Sequence, residues 1–179
     1  NGVYERNGSK SAATVAKLLV DIVSKNGNML LSVPLRADGT PDEKEIAIMK
    51  EFGAWMKINS ESIVKTRPWK IFGEGPIADA DIQINAQGFN DGQYTKAGAN
   101  EIRFTQTEKN LYVSALEWPE NKTINVKSLA EGSTLYPEKI KSVELLGYGK
   151  VKFTRTSDAL VVTLPEKLNN IMPVLKIKK

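Results

Sequence analysis

The sequence of 179 residues contains neither cysteine nor histidine. The lack of cysteine excludes disulfides, thiolate metal sites and a cysteine nucleophile. The lack of histidine excludes a Ser-His-Asp triad, a histidine-ligated zinc ion and an imidazole base. Catalysis within this chain would therefore have to use carboxylates, lysine, tyrosine or the backbone, or groups that the chain does not contain.

Strong charge and long apolar runs are also missing. The chain has 25 Lys and Arg against 21 Asp and Glu, a net charge of +4, and no run of five like charges, so we expect no nucleic-acid partner. No stretch of 18 apolar residues occurs, so we expect no membrane span. The first residues lack the apolar core of a signal peptide. A hydrophobic content of 41% is ordinary for a globular protein with a sizeable core.

The first 62 residues have the pattern of a helix, a strand and a second helix. Ser9 and Ser11 are candidate caps of the first helix, and Asn26-Gly27 ends it, with Gly27 expected in the left-handed conformation. Apolar residues recur at spacings of three and four, which predicts a single buried face. This face comprises Ala12, Val15, Ala16, Leu19, Ile22 and Val23.

The nearly continuous apolar run at 28–33 predicts a parallel strand that is buried on both faces. Thr40 is the predicted cap of the second helix, with Pro41 at its first position and Glu43 completing a capping box. The inner stripe of that helix is predicted to contain Ile46, Met49, Phe52, Gly53 and Met56. A lone buried strand leaves its backbone amides unpaired, at a cost of about 1–3 kcal/mol for each group. We therefore expect the unit to be the end of a larger α/β domain whose other strands lie outside this chain.

From about residue 63 the helical spacing gives way to alternation. Short alternating segments separated by turn residues predict an antiparallel β-sandwich. The predicted strands are 101–106, 111–116, 123–126, 142–146, 151–155, 159–164 and 174–177. The expected fold class is thus α/β plus all-β, divided into the end of a (β/α)8 barrel at 1–62, a connection at 63–100 and a β-sandwich at 101–179.

Several ordered segments make the chain resemble α-L-fucosidases of glycoside hydrolase family 29. The segment 18–31, LLVDIVSKNGNMLL, is similar to the last barrel repeat of that family. The match continues through RADGT at 36–40, FGAWMKIN at 52–59 and TRPWK at 66–70. The segments VELLG at 143–147 and LVVTLP at 160–165 resemble the final strands of the family's β-sandwich.

This resemblance implies a parent enzyme that is a retaining exo-glycosidase, which removes terminal α-L-fucose from glycoconjugates. An Asp nucleophile forms a covalent fucosyl-enzyme, and a second carboxylate acts as acid and then as base. No metal or organic cofactor is implied. Both carboxylates and the sugar-binding histidines belong to earlier barrel strands, so we expect no catalytic residue in this chain and no activity from it alone. The implied partners are a fucosylated glycan and the missing N-terminal barrel portion, and the implied location is extracytoplasmic, either the bacterial periplasm or secreted.

Three residues are candidate substrate-binding residues. Arg36 and Asp38 lie in the loop after a barrel strand, where active-site residues concentrate, although Asp-Gly also suits an ordinary turn. Tyr4 could border the pocket or could be a packed aromatic residue. Two departures from the family pattern affect this region, because relatives commonly carry Asn-Val-Gly-Pro at 32–35 and an aromatic-Gly-Tyr-Asn segment before the first helix.

Other functions stay open at this point. Trp55 and Trp69 are expected to pack between barrel and sandwich. Phe89, Tyr94 and Trp118 could instead form a carbohydrate-binding platform. The alternatives to a fucosidase portion are therefore a non-catalytic carbohydrate-binding module and a purely structural or partner-docking β-sandwich.

Overall fold

A computed structural model describes residues 10–80 and 98–178. Helices α1 (Ala12–Ser24) and α2 (Glu43–Asn59) come first, and a 3-10 turn at Ser60–Ser62 follows them. Nine strands lie within the described ranges. They are β1 (Arg67–Glu74), β2 (Ile102–Gln106), β3 (Asn110–Ala115), β4 (Thr123–Val126), β5 (Ser142–Leu145), β6 (Gly149–Lys150), β7 (Lys152–Arg155), β8 (Leu160–Thr163) and β9 (Val174–Lys178).

The strands form two antiparallel sheets, which confirms the predicted β-sandwich. The larger sheet has the order β1-β2-β3-β9-β5-β6, and the smaller one has the order β4-β8-β7. Apolar side chains from the two facing surfaces fill the space between the sheets. The central ones are Phe104, Leu111, Val113, Ile124, Leu160, Val162 and Ile177.

The two helices cover the outer face of the larger sheet. Because strand side chains alternate between faces, Tyr112 points away from the inter-sheet core and packs in a second apolar cluster with Ala16, Val20 and Trp55. The molecule thus has three layers, and the helical layer shares a core with the sandwich. Neither helix is long and apolar enough, over the described residues, to cross a bilayer.

Helix α1 begins where the sequence predicts and buries half of the predicted face. Ser11 is its N-cap and accepts a hydrogen bond from the Thr14 amide at 3.1 Å, while the other candidate cap, Ser9, lies outside the described residues. Asn26, not Gly27, takes the left-handed conformation at the end, with a φ of 65°. The helix buries Val20, Asp21 and Ser24 but leaves Leu19, Ile22 and Val23 only partly buried. The prediction is thus confirmed for Ala12, Val15 and Ala16, whereas in the second half of the helix the buried face is the one that carries Asp21.

The strand predicted at 28–33 does not form. Residues 27–36 contain neither helix nor strand, and Leu30 is 95% exposed. A strand forms only when its backbone hydrogen-bonds to a neighbouring strand, and none of the described strands pairs with this segment. The prediction of a strand was therefore wrong for this chain, because the partner strands that it needs are not among the described ones.

Helix α2 begins two residues later than the capping-box prediction. Asp42 is the N-cap and accepts a hydrogen bond from the Glu45 amide at 3.0 Å, while Thr40 bonds to Asp38 in the preceding loop. The predicted inner stripe is correct for Phe52 and Met56, which pack against the cluster shared with the larger sheet. It is wrong for Ile46, Met49 and Gly53, which are exposed. Only Trp55 and Asn59 of this helix are buried.

The two tryptophans occupy different layers. Trp55 lies between the helices and the larger sheet, as predicted, and its Nε1 donates to the Met172 carbonyl at 3.2 Å. Trp69 instead lies on β1 inside the sandwich, with its ring 4.9 Å from that of Phe104. Strand β1, which carries Trp69, falls within the segment predicted as a connection at 63–100 and forms an edge of the larger sheet, where Pro68 is tolerated.

Candidate functional site

The loop that carries two of the three sequence-predicted site residues is closed on itself. The Arg36 amide donates to the Thr40 carbonyl at 2.7 Å, and the Gly39 amide donates to the Arg36 carbonyl at 2.9 Å. Gly39 has a φ of 83°, which a side chain would disfavour. The structure therefore brings Arg36 and Asp38 together in one compact, exposed turn, while Tyr4 lies outside the described residues.

Asp38 holds this turn through Thr40. Its Oδ1 accepts hydrogen bonds from the Thr40 hydroxyl at 2.7 Å and from the Thr40 amide at 2.9 Å. These two bonds, and the charge of Arg36 nearby, lower the pKa of the Asp38 carboxyl below its ordinary value. Asp38 is thus an ionised hydrogen-bond acceptor at neutral pH, not a proton donor, and its contacts agree with a turn as well as with a binding residue.

An open apolar groove lies between α1 and α2, directly before this loop. The segment 28–34 crosses it, and its walls come from Leu18 and Ile22 of α1 and from Met49 and Phe52 of α2. The groove has a volume of about 570 Å³. Apolar surface of this extent on two neighbouring helices is typical of a face that packs against further protein.

A buried ionic cluster fixes α1 to the sandwich. Arg103 of β2 is 1% exposed, and its Nε donates to Asp21 Oδ1 at 2.5 Å while its Nη1 donates to Glu101 Oε1 at 2.7 Å. Lys25 adds a contact of 2.8 Å to the other oxygen of Asp21. Two cations thus balance two carboxylates, so burial leaves no net charge uncompensated.

The same cluster holds the chain after β1. The Glu101 carboxylate accepts hydrogen bonds from the amides of Ile77 and Ala78, both at 2.8 Å. A Cβ atom at Gly73 would lie 2.4 Å from the Ile102 carbonyl oxygen, and one at Gly75 would lie 2.4 Å from that of Asn100. Glycine is therefore required at both positions for β1 and its following turn to approach the cluster.

The buried carboxylates of the described ranges all have structural partners. Asp21 and Glu101 bind Arg103, and Glu74 accepts hydrogen bonds from the amides of Lys127 and Ser128 at 2.7 and 2.8 Å. No described group of three or more carboxylate side chains is arranged to hold a metal ion. The three carboxylates are therefore structural, because each one links two separate segments of the fold.

The aromatic residues considered as a carbohydrate platform are not brought together by described contacts. Trp118 is half-buried, packs against the inter-sheet core, and places Nε1 3.4 Å from Asn169 Oδ1. Phe89 and Tyr94 lie outside the described residues. A half-buried indole that is engaged in the core offers little free surface for stacking on a sugar.

The Asp21–Arg103 pair was not predicted from the sequence. Asp21 lies outside the apolar face predicted for α1, and Arg103 lies on the face of β2 that points away from the inter-sheet core. No local pattern therefore marks either charge as buried.

Family models match two parts of the chain. The model described as "Alpha-L-fucosidase" matches residues 3–61, and the model described as "Alpha-L-fucosidase C-terminal domain" matches residues 96–178. The first match covers both helices and the loop at 36–40, and the second covers the strands from β2 to β9.

Curated relatives agree with these matches. The chain is 27% identical to tissue α-L-fucosidase of Homo sapiens over 180 residues, which covers 95% of this chain and 32% of the relative. It is 34% identical to plasma α-L-fucosidase of Pongo abelii over 164 residues, which covers 89% and 29%, respectively. The chain spans about a third of the length of the curated relatives that it matches.

Solved structures show the same fold. The Thermotoga maritima α-fucosidase in complex with a mechanism-based inhibitor superposes with a TM-score of 0.69 at 24% identity, covering 98% of this chain and 37% of that structure. The trapped covalent intermediate of a GH29 α-L-fucosidase from Bacteroides thetaiotaomicron gives a TM-score of 0.63 at 18% identity, covering 96% and 33%. At these identities the likeness supports the fold alone.

Proposed function

Because the two family matches together span most of its residues, the chain belongs to the α-L-fucosidase family as its C-terminal portion, and we propose that its parent enzyme hydrolyses terminal α-L-fucosides with retention of configuration. In this proposal the present chain closes the catalytic barrel and supports it through the β-sandwich. The proposed substrate is a fucosylated glycan, which binds to the barrel as a whole.

The observation that carries the proposal is the contrast between the two sides of the helical layer. On one side, α1 and α2 share a closed apolar core with the larger sheet and are fixed by the Asp21–Arg103 pair. On the other side, the groove crossed by 28–34 stays open. One face of the helical layer is thus fixed to the larger sheet, and the other presents an apolar groove to further protein. This arrangement suits a unit that completes a larger barrel, so we propose that the upstream barrel portion occupies the groove.

In this arrangement the loop at 36–40 lies on the active face of the barrel. Loops after barrel strands form the active face of such barrels. We propose that Arg36 and Asp38 border the substrate there, with Arg36 donating to sugar hydroxyls and the ionised Asp38 accepting from them, and that Tyr4 lies at the same rim. The nucleophile and the acid/base of the two-step mechanism belong to the barrel portion outside this chain.

Two domain boundaries and a location complete the proposal. We propose that the barrel portion ends near residue 62 and that the sandwich proper begins near residue 101. We also propose an extracytoplasmic location, in the periplasm or outside the cell. Its support is the substrate class, and its test is fractionation of the source cells with an antibody to this chain.

Expression of the complete coding sequence tests the proposed activity. The product should hydrolyse an aryl α-L-fucoside, and proton NMR should show the α-anomer of fucose as the first product. Loss of activity on substituting a barrel carboxylate, with the sandwich unchanged, would support the assignment. A well-folded product that leaves α-L-fucosides intact, or that releases β-fucose first, would contradict it.

A further inference from the structure

A second cleft lies next to the chain that leaves α2. One wall is the chain that follows α2, with Val64, Lys65 and Arg67, and the other wall is the turn between β2 and β3, with Lys109. Tyr112 forms part of the lining. The cleft has a volume of about 780 Å³, within the range of small-molecule sites in proteins, roughly 300–1,000 Å³.

Hydrogen bonds hold both walls in place. The Thr105 hydroxyl donates to the Ser62 carbonyl at 2.7 Å and so ties the 3-10 turn to β2. In the β2–β3 turn, the Thr107 amide donates to the Asn110 carbonyl at 2.9 Å, and the Asn110 amide donates to the Thr107 hydroxyl at 3.2 Å. The Gln106 side-chain amide donates to the Pro68 carbonyl at 3.0 Å. A site whose walls are already fixed loses little conformational entropy when a ligand binds.

The backbone of one wall is strained. Lys65 has a φ of 60°, a left-handed conformation that costs a residue other than glycine on the order of 1 kcal/mol. Lys65 is exposed, as is Val64 beside it at 55%. The residue with this strained backbone is therefore one of the lysines that line the cleft.

Positive charge is in excess in the cleft. Glu61 is already engaged, since it accepts hydrogen bonds from Tyr112 Oη at 2.9 Å and from Lys176 Nζ at 2.6 Å. Among the described residues, no carboxylate forms an ion pair with Lys65, Arg67 or Lys109. These three cations are therefore available to an anionic ligand.

The remaining lining narrows the ligand class. Glu108 would repel a continuous polyanion such as a nucleic acid, but its oxygens can accept hydrogen bonds from hydroxyl groups. Gln106 and Asn110 add amide groups that serve as donors and acceptors. A ligand with many hydroxyls and a few separated anionic groups fits this mixture of charges.

We propose that the cleft formed by Lys65, Arg67 and Lys109 binds an acidic oligosaccharide that carries sulfate or carboxylate groups. The cleft would act as a secondary glycan-binding site on the sandwich. The proposal does not depend on the fucosidase activity, because it concerns only residues of this chain and is tested by binding.

Titration calorimetry on the purified chain tests it with four probes: a chondroitin sulfate tetrasaccharide, the unsulfated chondroitin tetrasaccharide, neutral cellotetraose and a single-stranded oligonucleotide. We expect saturable binding of the two acidic tetrasaccharides, at least about tenfold weaker binding of cellotetraose, and no tight binding of the oligonucleotide. The amide NMR signals of 106–110 should shift with the acidic probes. Weaker binding at higher salt should accompany this.

The matched variants are Lys65→Gln/Lys109→Gln in the cleft and Lys127→Gln/Lys152→Gln away from it, with Lys127 directly after β4 and Lys152 on β7. Each pair removes two exposed cations, so overall charge is equal in the two proteins. The cleft variant should weaken binding by about tenfold, and the control should leave it unchanged. Absence of saturable binding, equal losses in both variants, shifts confined to residues outside the cleft, or tighter binding of the oligonucleotide would each overturn the proposal.

Discussion

Arg103 and Asp21 lie 82 residues apart in the sequence, and a 2.5 Å hydrogen bond joins Nε of the guanidinium to Oδ1 of the carboxylate. The arginine belongs to the sandwich and the aspartate to the helical layer. Both side chains are almost fully buried. This pair therefore links the orientation of α1 to the sheet on which it lies.

Loss of the Asp21 charge should destabilise the protein strongly. Asp21→Asn leaves the buried guanidinium with only one carboxylate partner, and breaking a buried pair costs about 3 kcal/mol or more. Urea unfolding measures this as a fall in the free energy of unfolding. Lys25→Gln is the control, since Lys25 contacts the same carboxylate but is 36% exposed, and its loss should cost less than about 1 kcal/mol. Equal effects of the two substitutions would contradict the assigned role of Arg103.

Two glycines should respond in opposite directions to alanine. At Gly73 a new Cβ would meet the Ile102 carbonyl oxygen at 2.4 Å, so Gly73→Ala should lower the free energy of unfolding by about 1–3 kcal/mol. Gly53 lies on an exposed part of α2 with no atom near its added Cβ. Gly53→Ala should therefore raise the free energy of unfolding by about 0.5–1 kcal/mol. Thermal unfolding of the two variants measures both changes. A Gly73→Ala variant that is as stable as the unchanged protein would show that β1 does not approach β2 as described.

Trp55 should control the attachment of α2. Trp55→Phe removes the hydrogen bond to the Met172 carbonyl and leaves a small cavity in the cluster shared by helices and sheet. Amide hydrogen exchange in α2 should accelerate by roughly tenfold while exchange in β3 and β9 stays slow. The control is Trp118→Phe, whose ring packs against the inter-sheet core instead. Acceleration of all three elements together would mean that α2 has no separate attachment.

Alkaline pH should weaken the protein through Tyr112. Burial, and then the hydrogen bond to the charged Glu61, raises the pKa of the Tyr112 phenol from 10.0 to about 12. The unfolded chain ionises this tyrosine near pH 10, whereas the folded chain keeps it protonated. Its contribution to stability is therefore complete below pH 10 and is lost as the pH rises toward 12.

Tyr112→Phe tests that statement. The variant should show a smaller loss of stability between pH 10 and 12, by on the order of 2 kcal/mol, when urea midpoints are compared across that interval. Tyr148→Phe is the control, because Tyr148 is 57% exposed. If tyrosinate absorbance shows Tyr112 ionising near pH 10 in the folded protein, the described contact with Glu61 is wrong.

Much of the sandwich could be predicted because its signals are local. Strands β2, β3, β4 and β9 appear within a residue of the predicted bounds, since alternating side chains and turn residues mark them directly. Strand β1 was missed because its burial does not alternate cleanly, and its register shifts against β2 between Pro68 and Gly73.

The candidate site could be predicted only in part. Arg36 and Asp38 were found through a motif and do share a loop, but the bonds of Asp38 to Thr40 could not be inferred from spacing. The Asp21–Arg103 pair depends on how two distant elements meet, which no local pattern encodes. The failed strand at 28–33 has the same origin, because its pairing partners are not among the described strands.

The most direct test of the account is an assay of the purified 179-residue chain with an aryl α-L-fucoside. The buried carboxylates of the described ranges have structural partners, and the proposed nucleophile lies outside this chain. We therefore expect no fucose release above the uncatalysed rate from a protein that circular dichroism and hydrogen exchange show to be folded. Turnover of the fucoside that is lost when a carboxylate of this chain is changed to its amide would contradict the account.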